Sequence, residues 1–269
     1  MKPPLHVVHR GDGPDVVLVH GSAADADGWT TLFASAAGAL SLWAYDRRGT
    51  DRSRLPPGRV AYSVADHARD LLELLDGSVG GPAVVVGSSF GAVVALAAAR
   101  IDPAWFRGLV LCEPPLPARE TAPPVPDAFM DELLRVRDAA SGEAAGRFFL
   151  RRVLGPEAYA AMRPRWIERC SALHAQIVLD CQALQDHRPR YGALSKMLVP
   201  SLLVGGDRSV SDFAPALDTL ERAMPRARRV TVPGAGHIVH ADAPAAFAEL
   251  VVGFVREVQP DASEPGANA

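Results

Sequence analysis

The chain has 269 residues, 48% of them hydrophobic and 22% charged, a mix that excludes wholesale disorder. Its formal net charge of −3 leaves no basic field to hold nucleic acid or an anionic membrane, so the expected partner is a small-molecule substrate. The longest helical apolar run, Ala92–Ala99, falls far short of the roughly 20 residues a membrane span needs, and Met1–His9 lacks a signal-peptide apolar core. A reduced, cytoplasmic protein is expected.

Short β-branched runs alternate with Ala/Leu-rich helical stretches. Leu5–His9 reads as an edge strand, and Val16–Val19, apolar without alternation, as a strand buried on both faces. Trp29–Leu40 reads as helix, Ser41–Tyr45 as strand and Val64–Leu75 as helix. Ala83–Val86 follows as strand, Gly91–Arg100 as helix and Gly108–Cys112 as strand. Downstream, Ser201–Gly205 is predicted strand, Asp212–Met224 helix, Arg229–Val232 strand and Ala243–Val258 a closing helix. This alternation predicts an α/β fold, a mostly parallel doubly wound sheet with helices on both faces.

Between these halves the rhythm breaks. Two Pro-rich stretches, Glu113–Pro117 and Pro123–Pro126, precede helical patterns at Phe129–Ala140, Glu143–Leu154 and Pro156–Leu184, with no strand among them. The expected organisation is a core of residues 1–113 and 197–259, a helical cap of residues 114–196, and a flexible C-terminal tail, 260–269. Cys112, Cys170 and Cys181 form no disulfide framework. If Pro156–Leu184 is one helix, Cys170 and Cys181 lie roughly 16 Å apart, too far for a bridge. No Cys/His cluster has zinc-ligand spacing, and no Rossmann or P-loop glycine pattern occurs, so no cofactor is expected.

The chemistry concentrates at three glycine-flanked turns. Val84-Val85-Val86-Gly87-Ser88-Ser89-Phe90-Gly91 is a strand, then G-x-S-x-G, then a small-residue helix. A serine on so sharp a strand-to-helix turn has its hydroxyl exposed and its ±2 neighbours restricted to glycine, which marks Ser89 as a nucleophile. The helix that begins at Phe90 offers free N–H groups to a developing oxyanion. In His20-Gly21-Ser22, after a buried strand, the Ser22 N–H can aim at the same oxyanion, with His20 as a loop anchor. His237, on the glycine-rich loop Pro233–Gly236 after the last strand, can accept the serine proton. His240 is expected to be a surface or loop-packing residue.

Together these pieces resemble the α/β-hydrolase superfamily, on the strength of His20-Gly21, Tyr45-Asp46-Arg47-Arg48-Gly49, the Ser89 elbow and Gly236-His237. The resemblance covers all but the cap and tail, and places the cap after the sixth core strand. Asp51 departs from it, standing where the superfamily's loop carries a second glycine. Asp46 and Arg47 are expected to tie that loop to the sheet. The resemblance implies an acid partner for His237 at one of two places. Asp207, in Leu203-Val204-Gly205-Gly206-Asp207, comes one residue earlier than the usual spacing; Glu113, at the end of strand Gly108–Cys112, is the rival. It also implies an ester, lactone or thioester substrate under cap helices bearing Phe129, Phe148, Phe149, Tyr159 and Trp166. The same fold hosts lyases, tailoring enzymes and ligand receptors. A serine at the elbow argues against epoxide opening or halide displacement, and the intact Ser/His pair argues against a pure receptor.

Overall fold

The computed structural model describes residues 5–50, 52–53 and 62–259. Asp51 and the tail 260–269 lie outside them. Among the described residues seven strands form one sheet: β1 (Val7–Arg10), β2 (Asp15–Val19), β3 (Ser41–Tyr45), β4 (Ala83–Ser88), β5 (Phe106–Cys112), β6 (Ser201–Gly206) and β7 (Ala227–Val232). Their order is β1-β3-β2-β4-β5-β6-β7. Only β1 runs antiparallel to its neighbour; every other pairing is parallel.

The unbroken apolar runs explain the layering. Successive strand side chains point to opposite faces, so a strand covered on both sides must be apolar at every position. Val17, Val19, Val85, Leu109, Leu111 and Leu203 join one core layer, while Val16, Leu18, Val84, Val86, Val110 and Val204 join the other. The first layer packs under α2 (Val64–Leu74) and α3 (Phe90–Ile101), the second under α1 (Thr30–Ala36) and the closing helix (Pro244–Val258).

Between β5 and β6 the chain is helical: α4 (Asp127–Ala139), α5 (Gly142–Leu154), α6 (Pro156–Ala161), α7 (Pro164–Ala172), α8 (His174–Asp186) and a 3-10 turn at Tyr191–Lys196. Among the described residues this insertion follows the fifth strand, not the sixth, because a single edge strand precedes the parallel series. After β6 come α9 (Ala214–Ala223), β7, a short α10 (Val239–Asp242) that the apolar pattern did not mark, and α11 (Pro244–Val258).

Two expected helices are cut. The helix over Trp29–Leu40 shrinks to α1: a 3-10 turn takes Trp29 at its start, and Ala37 caps its end ahead of Leu40. Pro156–Leu184 is three helices rather than one. Pro164 drives Arg163 into extended backbone (φ −63°, ψ 134°), and Leu173 leaves helical geometry between α7 and α8. Cys170 and Cys181 therefore sit on different helices, and both are free thiols.

Candidate active site

The carboxyl ends of the parallel strands converge on one region, where open α/β sheets bind their ligands. His20 to Ser22 follow β2, Arg47 follows β3, Ser89 follows β4, Glu113 follows β5, and His237 lies on the loop after β7.

Ser89 joins β4 directly to α3 at φ 52° and ψ −121°, backbone that side-chain-bearing residues rarely adopt. The turn is this tight because its neighbours have no side chains. A Cβ on Gly87 would stand 2.5 Å from the Gly91 carbonyl oxygen, and one on Gly91 would stand 2.1 Å from that of Val19. The Ser89 N–H donates to the Cys112 carbonyl at 2.8 Å, fixing the elbow to the end of β5. Phe90 begins α3, where N–H groups lack intrahelical acceptors.

Glu113 is the next residue of that strand end, and it too is strained, at φ 41°. Its carboxylate is buried and held from two sides. Oε2 accepts from His237 Nδ1 at 2.7 Å and Oε1 from the Gly206 N–H at 2.9 Å. A carboxylate accepting at Nδ1 places the imidazole proton there and leaves Nε2 as the basic nitrogen. That Nε2 is buried and has no hydrogen-bond partner. Phe213 stacks flat on the His237 ring, with centroids 4.0 Å apart. Asp207, the other candidate acid, is exposed, and its Oδ1 accepts the Gly234 N–H at 2.7 Å. It closes the turn into the histidine loop, while Glu113 contacts the histidine itself.

A polar network built on the fully buried Arg47–Asp180 pair holds the loop that carries Ser22. His20 Nε2 accepts the Arg47 N–H at 3.0 Å, which makes Nδ1 the protonated nitrogen, donating to the Gly21 carbonyl at 2.8 Å. Burial, then the adjacent Arg47 charge, holds His20 well below the usual histidine pKa. The Arg47 guanidinium donates to the carbonyls of His20 and Gly21 and to both carboxylate oxygens of Asp180. Asp180 also accepts from Ser22 Oγ at 2.7 Å and from the Tyr62 hydroxyl at 2.9 Å. Asp46 accepts the Ala26 N–H and pairs with Arg52. Asp180, on α8 of the insertion, escaped the motif reading. Its signal was a lone carboxylate in the apolar run Ile177-Val178-Leu179-Asp180-Cys181, which needs a buried partner. Of the two expectations for His240, packing fits and surface does not: it is buried against Trp29, with ring centroids 4.3 Å apart.

Two cavities meet at Ser89. One, of about 730 Å³, is lined by the Pro-rich segment after β5, by Phe129, Phe148 and Phe149 of the insertion, and by Phe213. The other, of about 70 Å³, reaches His237. Tyr159 and Trp166 line neither. Trp166 is exposed between Arg165 and Arg169, and Tyr159 packs against Arg151. Among the described residues no group of three or more His, Cys, Asp or Glu side chains could hold a metal ion, and no helix is long and apolar enough to cross a membrane.

The family model of the alpha/beta hydrolase family matches residues 16–250, and the chain belongs to that family. It is an enzyme of the hydrolase type. It is 28% identical over 254 residues to a pimeloyl-acyl-carrier-protein methyl ester esterase of Stenotrophomonas maltophilia, covering 90% of this chain and 94% of that one. A shorter match, 40% identical over 92 residues, joins it to an uncharacterized hydrolase of Bacillus subtilis and spans 34% of each chain. Among solved structures, a thermophilic esterase from Thermogutta terrifontis superposes with a TM-score of 0.80 at 21% identity, covering 95% of this chain and 94% of that one.

Proposed function

We propose that the protein is a serine hydrolase that cleaves an ester, lactone or thioester of a small to medium organic substrate through an acyl-enzyme. The observation that carries this reading is the pairing of Glu113 with His237 Nδ1 beside a strained Ser89, with Nε2 of the same histidine unpartnered. An ester is further supported by the relative named an esterase.

In this reading His237 Nε2 takes the proton as Ser89 Oγ attacks the carbonyl carbon. Glu113 fixes the tautomer and stabilises the imidazolium. The N–H groups of Ser22 and Phe90 stabilise the tetrahedral oxyanion. His237 returns its proton to the leaving group and then activates water to clear the acyl-enzyme. Residues 114–196 form a cap over a core of residues 1–113 and 197–259, and the large cavity between them receives the substrate.

The test is hydrolysis of methyl and p-nitrophenyl butyrate by the wild type, Ser89→Ala and His237→Ala. Each substitution should lower kcat by several orders of magnitude, up to about 10⁶-fold, with an unchanged circular dichroism spectrum. A wild-type rate in either variant would overturn the mechanism.

A further inference from the structure

The two cavities at Ser89 are unequal, and only one of them holds the proton donor. The cavity of about 70 Å³ is lined by His237, together with His20, Trp29, Leu150 and Leu154. The cavity of about 730 Å³ contains Ser22 and Ser89 but not His237. Phe149 and Val153, one turn apart on α5, line both and form the partition between them.

Resting on the serine hydrolase reading, we infer that the substrates are esters of a small alcohol with a large apolar acyl group, the alcohol in the cavity beside His237 and the acyl chain in the large one. The chemistry assigns the halves. In acylation the Ser89 Oγ–carbon bond forms and the carbon–alkoxy bond breaks. The proton taken from Ser89 passes through His237 Nε2 to the departing alkoxy oxygen, which must lie within hydrogen-bond reach of that nitrogen. The alcohol therefore leaves from the His237 side. The cavity beside His237 is the smaller of the two, so the half of the ester that leaves from it is the smaller half. The acyl group stays bonded to Ser89 and extends the other way, into a cavity about ten times larger. Water then attacks the acyl carbon, the carbon–Oγ bond breaks, and the proton returns to Ser89.

Methyl octanoate and heptyl acetate are isomers with the halves exchanged, and their turnover can be compared by pH-stat titration. We expect kcat/KM at least tenfold higher for methyl octanoate. Leu154→Ala and Leu150→Ala, which widen only the small cavity, should move the ratio toward heptyl acetate by about fivefold or more, whereas Phe148→Ala, in the large cavity alone, should not. A ratio of two substrates on one preparation does not depend on the fraction folded. Equal rates, a preference for heptyl acetate or no turnover of either isomer would overturn the assignment. If a fluorophosphonate still labels Ser89, the hydrolase reading survives that result; if it does not, that reading fails too.

Discussion

Glu113 Oε2 and His237 Nδ1 meet at 2.7 Å across 124 residues of chain, the carboxylate buried beneath the ring it holds. The consequence is that the two candidate acids should respond differently to the loss of their charge. Glu113→Gln removes the acceptor that fixes the tautomer and should lower kcat on the order of 10³–10⁴-fold. Asp207→Asn weakens a turn hydrogen bond to Gly234 and should cost about 1 kcal/mol of stability with little change in kcat. Steady-state kinetics of the two variants side by side check this. An equal fall in both would show that the turn matters as much as the direct contact.

Arg47 and Asp180 are both fully buried and joined at 2.7 Å, linking the loop after β3 to the helical insertion. Removing one partner strands a charge. Asp180→Leu or Arg47→Met alone should destabilise by about 3–5 kcal/mol, and the double variant by clearly less than the sum. Urea denaturation of the four proteins measures the coupling. Because Asp180 also holds Ser22 Oγ, the single variant should lower kcat more than it raises KM.

Stability should fall in mild acid. Burial lowers the pKa of His20 and His67 well below the histidine range, the nearby Arg47 charge adding to it in both cases. Burial, then the neighbouring His237, pushes His240 down to about 4. Such a group is neutral in both states at high pH. Below the unfolded pKa near 6.5 only the unfolded chain takes up the proton, so stability present above about pH 6.5 is lost as pH falls toward the folded pKa. The loss approaches about 1.4 kcal/mol per pH unit per buried histidine. Denaturation midpoints from pH 7 to pH 4 should show this slope, and His240→Gln should reduce it by about a third of the three-histidine contribution.

Two glycines should respond in opposite ways to alanine. Gly253 lies inside α11 with no atom within 4 Å of where its Cβ would stand, so Gly253→Ala should stabilise by about 0.5–1 kcal/mol. At Gly87 the same atom meets the Gly91 carbonyl oxygen at 2.5 Å, so Gly87→Ala should destabilise by about 1–3 kcal/mol or more and misplace Ser89. Thermal melts of both variants decide the signs.

By itself the sequence determined the layered sheet and its elbow. Both follow from short-range rules: an apolar run four or five residues long is a strand covered on both faces, and a serine between two glycines after such a run sits on a tight turn. Those features depend on backbone within a few residues, which the sequence displays. Where the sequence was silent, the decision belonged to distant chain. Nothing local distinguishes Glu113 from Asp207 as the neighbour of His237. That was settled by which adjacent strand end, β5 or β6, aims its carboxylate at a loop arriving after β7. Nor does any window show that Asp180 meets Arg47, 133 residues away. A pairing that distant depends on how α8 packs over the sheet, and only the assembled tertiary structure fixes it, because the burial that makes the pair necessary does not exist until the insertion has docked.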